Sequence, residues 1–384
     1  MRKFIREKYR DVEESIYASD FSKIYDDFIN FGVGDPDLRT DEAIIKEAYD
    51  SQMAGHTHYE DPQGYIKFRE GIAKFYEEDF GVKCHPKEIL ITMSGTEAMF
   101  LILQAILNPG DEVIVPSPYF SVYPDQIEMA GGKTVFYDTK FENDFNIIPK
   151  DLEKLINKNT KAIIINTPNN PTAAVYSDKI LKEIYDICVK HDILAICDDI
   201  YTIYSYESKF SPMIKYDKDF ERVISISSMS KDYVMTGWRL GAILAHEDLI
   251  KAMTAIHANT VYSVPTICQY AGLVGIENRK RIFPALYEEY KERMYLAYER
   301  LKNLNYVEVK KPKGTFYIFP KINIPGMTTE EVVKEILKKA HVNVIDGKAF
   351  GSTGEGFIRI AVTVNKDKIN EAFDRIENLD IFKK

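Results

Sequence analysis

Residues 161–166 read Lys-Ala-Ile-Ile-Ile-Asn, and residues 193–198 read Ile-Leu-Ala-Ile-Cys-Asp. Each run is almost continuously apolar, which is typical of strands buried on both faces of a parallel sheet. Between them, Ser177 to His191 spaces its apolar side chains at a helical period. A strand, a helix and a second strand in this order predict an α/β fold.

The same alternation continues on both sides of this stretch. Further apolar runs bounded by turn residues occupy Glu88 to Met93, Glu112 to Pro116, Thr134 to Tyr137, Val223 to Ser227 and Gly241 to Ala245. We therefore predict a large domain with a mostly parallel seven-stranded sheet flanked by helices.

The pattern changes after Pro265 to long charged helices and shorter strands. This change predicts a smaller α+β domain, built from the C-terminus and part of the N-terminus. We expect an N-terminal arm and small-domain segment over residues 1–40, the large domain over 41–270, and the small domain over 271–384.

Composition restricts the class of protein. At 384 residues the chain exceeds a single compact core, which favours two domains around one cleft. The net charge of −9 argues against a nucleic-acid surface, and no stretch approaches the ~18 apolar residues of a membrane span. The four cysteines have no ligand-like spacing, and His56 and His58 lack a nearby third ligand, so we predict no metal site. We expect a cytoplasmic protein that binds small molecules.

Lys231 lies three residues after Ser228 and eight before Arg239. A lysine amine whose pKa is lowered attacks aldehydes, and a serine with an arginine can bind a phosphate. An aldehyde that carries a phosphate describes pyridoxal 5'-phosphate. The alternative is that Lys231 and Arg239 are two solvated surface cations.

Polar residues follow several predicted strands, at the sheet edge where α/β proteins bind ligands. Gly95 and Thr96 begin a helix whose amides could bind a phosphate, or could simply form a cap. Asp198 could keep a cofactor ring nitrogen protonated, with Tyr201 and Asn170 on the ring oxygen. An ordinary strand end and a plain turn could use the same residues.

The chain resembles the class I/II aminotransferases of fold type I, which depend on pyridoxal phosphate, over nearly its whole length. Each matching segment is modest alone, but their order is specific. The segments are Gly32-Val-Gly34-Asp-Pro36-Asp37, Tyr59 with Gly64, Ser94-Gly-Thr96, Pro118-Tyr-Phe120-Ser-Val-Tyr123, Pro168-Asn-Asn-Pro-Thr172, Asp198-Asp-Ile-Tyr201, Ser228-Met-Ser-Lys231, Gly237-Trp-Arg239 and Arg359.

The resemblance implies roles around the cofactor. Lys231 forms a Schiff base and moves the proton, Asp198 pairs with the ring nitrogen, and Phe120 stacks on the ring. The ring oxygen contacts and the phosphate ligands follow from the same comparison: Asn170 and Tyr201 for the oxygen; Gly95, Thr96, Ser228 and Arg239 for the phosphate.

The resemblance also implies contacts beyond the cofactor. Tyr59 reaches the phosphate of a partner subunit, which predicts a homodimer. Arg359 binds the substrate α-carboxylate through two parallel hydrogen bonds, with Gly34 and Asn170 beside it.

Four positions depart from the family pattern: Asp199 for glutamate, Ala173 for glycine, Leu38 for phenylalanine, and Glu97 where related aspartate aminotransferases often have lysine. A carboxylate at position 97 would repel an acidic substrate side chain. We therefore expect that aspartate is not the best amino donor.

These features predict an aminotransferase that moves an amino group between an L-amino acid and a 2-oxo acid in a ping-pong cycle. A carbon–sulfur β-lyase on the same fold is the alternative, because the same carbanion feeds both reactions. A ligand-sensing regulator would need a DNA-binding module upstream of Gly32, where only about thirty residues precede, so we expect an enzyme.

Overall fold

The computed structural model describes residues 1–10 and 25–383. Part of the predicted N-terminal arm, residues 11–24, lies outside the described residues. The strands are β1 Ile29–Asn30, β2 Ile89–Thr92, β3 Glu112–Ser117, β4 Lys133–Asp138, β5 Thr160–Asn166, β6 Leu194–Asp198, β7 Val223–Ser228, β8 Gly241–Leu244, β9 Val307–Glu308, β10 Tyr317–Ile318, β11 Lys321–Ile322, β12 Val342–Asn343, β13 Ile345–Asp346 and β14 Ile358–Ala361. The helices are α1 Glu42–Met53, α2 Ile66–Phe80, α3 Gly95–Ile106, α4 Tyr123–Met129, α5 Pro149–Glu153, α6 Asp178–His191, α7 Met229–Asp232, α8 Glu247–Thr260, α9 Thr266–Lys302, α10 Thr329–Ala340 and α11 Lys366–Glu377.

The large sheet has seven strands in the order β2-β8-β7-β6-β5-β3-β4. The strands from β7 to β4 in this order run parallel, whereas β8 is antiparallel to both β2 and β7. The predicted mostly parallel seven-stranded sheet is confirmed. Parallel pairing places Asn166 beside Asp198, so the polar ends of β5 and β6 meet at one edge.

Strand β5 shows why its sequence is continuously apolar. Ile163 and Ile165 belong to the hydrophobic cluster on one face of the sheet, and Ala162 and Ile164 belong to the cluster on the other face. Because successive side chains alternate between faces and helices cover both, each position is buried.

A smaller α+β unit packs beside the large sheet. Strands β10, β14 and β13 form one sheet, and β1 pairs in parallel with β12. The N-terminal strand therefore joins the C-terminal unit, as the sequence predicted.

Helix α9 connects the two units without a break at residue 271. Ile276 and Ile282 belong to a core cluster of the large sheet, whereas Tyr290 and Met294 belong to the small-unit cluster. Pro284 lies within the helix between these two sets. The exact domain boundaries stay a prediction.

Among the residues that the structure describes, no helix has both the length and the apolar character that crossing a membrane requires.

Candidate active site

A cavity of about 150 Å³ lies at the carboxyl ends of β6 and β7, against the N-terminus of α3. This is the edge at which open α/β sheets bind ligands. Most of the residues predicted from the sequence line it: Gly95, Thr96, Phe120, Asn170, Asp198, Tyr201, Ser228, Lys231 and Arg239.

Lys231 lies in the single turn of α7 that follows β7 directly. Its Nζ donates a hydrogen bond of 2.5 Å to the carbonyl oxygen of Gly34. Burial lowers the pKa of the Lys231 amine to about 8, and the nearby cations Arg359 and Arg239 act in the same direction. A larger fraction of this amine is therefore neutral and nucleophilic near neutral pH than of an ordinary lysine.

Asp198 ends β6 and is buried. Its Oδ2 accepts a hydrogen bond from the Tyr123 hydroxyl, whereas its buried Oδ1 has no hydrogen-bond partner within the described part of the chain. Burial raises the pKa of this carboxyl to about 6. A cationic N–H donor in the cavity would satisfy Oδ1 and favour the ionised carboxylate, as the predicted pairing with a ring nitrogen requires.

Asn166, at the end of β5, fixes two of the predicted residues. Its Nδ2 donates to the Asp198 carbonyl oxygen at 2.9 Å, and its Oδ1 accepts from the Asn170 amide at 2.8 Å. The side chain thereby locks the ends of two adjacent strands together. Sequence reasoning assigned no role to Asn166, although it ends an apolar strand as Asp198 does.

Two tyrosines form one wall of the cavity. The Tyr201 hydroxyl donates to the Tyr317 hydroxyl at 3.4 Å, and their rings meet edge to face. Burial raises the pKa of Tyr201 well above its ordinary value, so it remains a protonated donor. Tyr317 was missed from the sequence, because β10 reaches this cavity only through tertiary packing.

The predicted phosphate end combines a helix N-terminus with Ser228 and Arg239. Gly95 and Thr96 are the first residues of the 12-residue α3, where backbone amides have no partner within the helix. Ser228 Oγ accepts from the Ser230 amide at 3.2 Å. Arg239 is exposed, and its Nη1 donates to the Thr236 carbonyl oxygen at 2.6 Å. The Ser228 hydroxyl itself donates to the Leu240 carbonyl oxygen at 3.3 Å. The helix amides and the Arg239 guanidinium suit an anion in this part of the cavity.

Arg359 is buried on β14, beside the cavity. Its Nη1 donates to Asn170 Oδ1 at 3.1 Å, and its Nη2 donates to the Gly32 carbonyl oxygen at 2.6 Å. The rings of Tyr317 and Phe350 lie on the guanidinium, each with its centroid 4.6 Å away. These contacts hold a buried cation next to Asn170, which lines the cavity.

Gly34 lies where the N-terminal segment passes this site. A Cβ at Gly34 would lie 1.7 Å from the Tyr317 hydroxyl oxygen, so any other residue would collide with that ring. Arg359 and Gly34 do not line the 150 Å³ cavity itself. They lie beside it, through contacts with Asn170 and Lys231.

Two further positions lie away from the cavity. Tyr59 is 86% exposed and packs its ring 4.8 Å from that of Tyr262. Glu97 does not line the cavity, because its carboxylate accepts from the Met93 amide and faces His257. Within this single chain, Glu97 therefore makes no contact with the cavity that would support the prediction that it disfavours aspartate.

Residues 26–376 match the family model described as aminotransferase class I and II. The chain belongs to the class I and II aminotransferase family. Over 355 residues, this aminotransferase is 38% identical to the aspartate aminotransferase of Pyrococcus horikoshii, with 92% of this chain and 90% of that protein covered. It is also 36% identical over 377 residues to aromatic-amino-acid aminotransferase 2 of Thermococcus litoralis, with 95% and 96% covered.

A solved structure agrees with the fold. The aromatic aminotransferase from Pyrococcus horikoshii superimposes with a TM-score of 0.89 at 35% identity, covering 92% of this aminotransferase and 95% of that chain. The family match and the relatives confirm the predicted reaction class, transamination between amino acids and 2-oxo acids. Their names do not favour the carbon–sulfur lyase alternative.

Proposed function

We propose that this aminotransferase binds pyridoxal 5'-phosphate in the cavity and uses it in a ping-pong cycle between an L-amino acid and a 2-oxo acid. The observation that carries the proposal is that Lys231 and Asp198 line the same cavity. One supplies an amine of lowered pKa, and the other a buried carboxylate oxygen without a partner among the described residues. When bound, the cofactor supplies an aldehyde and an electron-accepting ring that makes the substrate Cα–H acidic.

Lys231 both binds the cofactor and moves the proton. Its amine would hold the cofactor at the aldehyde until the amino group of a substrate takes its place. The freed Nζ would then be the base that accepts the proton of the substrate Cα and the acid that later returns it. A pKa of about 8 suits this exchange, because a general base works best when its pKa is close to the working pH.

Asp198 holds the ring nitrogen in its protonated form. The Tyr123 hydroxyl bound to Oδ2 stabilises the carboxylate and leaves Oδ1 for the nitrogen. Tyr201 and Asn170 donate to the ring oxygen, and Phe120 covers one face of the ring. All these side chains line the same cavity.

Groups in and beside the cavity orient the reactants. Gly95, Thr96, Ser228 and Arg239 bind the phosphate, because amides at a helix N-terminus and a guanidinium attract an anion. Beside the cavity, Arg359, with Gly34 and Asn170 next to it, binds the substrate α-carboxylate. The guanidinium is positioned beforehand by its contacts with Asn170 and Gly32, which lowers the ordering cost of binding.

We further propose that the enzyme is a cytoplasmic homodimer. Tyr59 is 86% exposed and does not line the cavity of its own chain. It lies in the α1–α2 connection and packs against Tyr262 of the α8–α9 connection. Other exposed large side chains of α1, α2 and the α8–α9 connection are Tyr49, Met53, Ile66 and Val261. A second copy of the chain that covers these side chains would bury them. It would also bring Tyr59 of each subunit to the phosphate site of the other subunit. Light scattering at micromolar concentration tests the dimer.

Two relatives are named for aspartate and for aromatic amino acids. We propose that the donor belongs to one of these two classes. A panel of L-amino acids against 2-oxoglutarate, including aspartate and phenylalanine, identifies it.

The proposal is tested on purified protein supplied with pyridoxal phosphate. Borohydride reduction should attach the cofactor to Lys231, and the preferred amino acid alone should abolish the cofactor absorbance near its visible maximum. Adding a 2-oxo acid should restore that absorbance. Protein that takes up no cofactor, or that is labelled at another lysine, contradicts the proposal.

A further inference from the structure

The turn that leads from β2 into α3 has a backbone that is unusual outside glycine. Ser94, in the middle of this turn, has a φ of 92°. Such a conformation persists only where the surrounding structure holds it, and it often occurs at functional sites. The next residues, Gly95 and Thr96, carry the amides proposed to bind the phosphate.

Three contacts hold this turn. The Thr92 hydroxyl donates to the Ser94 carbonyl oxygen at 3.0 Å. The backbone of Gly241 packs so closely that a Cβ there would lie 2.8 Å from the Ser94 carbonyl carbon. On the other side, Glu97 Oε2 accepts the N–H of Met93, the residue just before Ser94.

His257 lies behind Glu97. It belongs to the last turn of α8 and has 0% exposure. Its Nδ1 lies 3.4 Å from Glu97 Oε1, and within the described residues neither ring nitrogen meets hydrogen-bond criteria with any group. Burying an imidazole without hydrogen bonds is costly, so its position opposite a carboxylate calls for a function.

We propose that Glu97 and His257 are positioning residues for the cofactor phosphate. Glu97 fixes the Met93 amide, and His257 keeps the Glu97 carboxylate turned toward that amide and away from the cavity. The strained turn then stays in the one conformation that directs the Gly95 and Thr96 amides at the phosphate. The inference rests on the proposed function and gives Glu97 a role that needs no contact with substrate.

The test compares two ligands on the protein freed of cofactor. Dissociation constants are measured by absorbance for pyridoxal 5'-phosphate and for pyridoxal, which has the same aldehyde and ring but no phosphate. Glu97→Ala should weaken binding of the phosphorylated ligand by about tenfold, the scale of losing the one hydrogen bond that holds the Met93 amide, and should leave pyridoxal binding unchanged. His257→Leu should act in the same direction.

Conservative variants separate positioning from simple structural support. Glu97→Gln keeps an acceptor oxygen for the Met93 amide, so it should bind both ligands as the wild type does. Glu247→Ala removes an exposed glutamate at the start of α8 and should also have no effect. Where Glu97→Ala does not fold, as judged by circular dichroism, His257→Leu and His257→Gln provide the same comparison.

Equal weakening of both ligands, or unchanged binding in Glu97→Ala and His257→Leu, overturns the inference while the proposed function stands. A wild-type protein that binds neither ligand overturns the proposed function itself.

Discussion

Lys231 and Gly34 are 197 residues apart in sequence, yet the amine of the first donates a 2.5 Å hydrogen bond to the carbonyl of the second. Lys231 follows a strand of the large sheet, whereas Gly34 follows β1, which pairs with the C-terminal unit. The proposed nucleophile is therefore held by backbone that follows the strand joining the C-terminal unit.

Lys231→Ala should abolish transamination, because no other amine then lies in place to bind the aldehyde and move the Cα proton. The expected result is no detectable turnover, with a circular dichroism spectrum like that of the wild type. Steady-state assays with the preferred donor measure it. Turnover at the wild-type rate would contradict the assignment, and Lys74→Ala, an exposed lysine on α2, is the matched control.

Cofactor loading should depend on pH through the same amine. Because burial lowers the pKa of Lys231 to about 8, its neutral fraction increases as the pH rises through 8. Borohydride trapping of the cofactor-free protein after brief exposure to pyridoxal phosphate should therefore reach half its maximum near pH 8. A midpoint near 10.5, the ordinary lysine value, would show that the amine is solvated.

Asp198→Asn should lower kcat by at least about 100-fold, the scale of losing one preorganised electrostatic contact, because an amide does not keep the ring nitrogen protonated. Tyr123→Phe should have a smaller effect, since it removes only the hydrogen bond that lowers the Asp198 pKa. Single-turnover kinetics with the preferred donor compare the two. If Tyr123→Phe lowered kcat more than Asp198→Asn, Asp198 would not be the group that keeps the ring nitrogen protonated.

Arg359→Lys should reduce kcat/KM by roughly 10–100-fold, because lysine offers a point charge where a carboxylate needs two parallel hydrogen bonds. The loss should appear mainly in KM for the amino acid. Arg281→Lys, at an exposed ion pair with Asp41, serves as control and should change neither constant. An unchanged KM in Arg359→Lys would place the carboxylate elsewhere.

Asp232 offers a prediction about stability. Burial raises the pKa of Asp232 to about 7 in the folded protein, from 3.8. The folded state therefore favours the protonated acid, and this contribution is complete below about pH 4 and is lost as the pH rises through 7. Asp232→Asn should gain stability relative to the wild type between pH 5 and pH 8, by roughly 3 kcal/mol.

Thermal unfolding of the cofactor-free protein at both pH values measures this difference. Asp248→Asn, an exposed carboxylate on α8, should show the same pH dependence as the wild type. A parallel pH dependence in Asp232→Asn would mean that the carboxyl titrates normally.

The sequence was sufficient for the parts of the fold that depend on local pattern. Continuous apolar runs such as residues 161–166 identified the buried strands, because such runs are stable only between two layers of helices. The antiparallel direction of β8 could not be predicted, since a buried strand has the same composition in either direction.

For the site, residues that follow strands were predictable, because the carboxyl ends of parallel strands share one edge. Tyr317, Phe350 and Tyr123 were given no role, since each acts through a contact that depends on packing between distant segments. Glu97 was expected to face substrate, but its carboxylate lies against the Met93 amide and His257, which is 160 residues away in sequence. That partnership has no signature in local sequence.

Helix α9, 37 residues long and spanning about 55 Å, enters both hydrophobic cores. A cut near residue 270 would separate Ile276 and Ile282 from their neighbours in the large unit and would separate α9 from its first turn. Because one helix belongs to both cores, the two units should unfold together. Calorimetry should therefore record one cooperative transition instead of two.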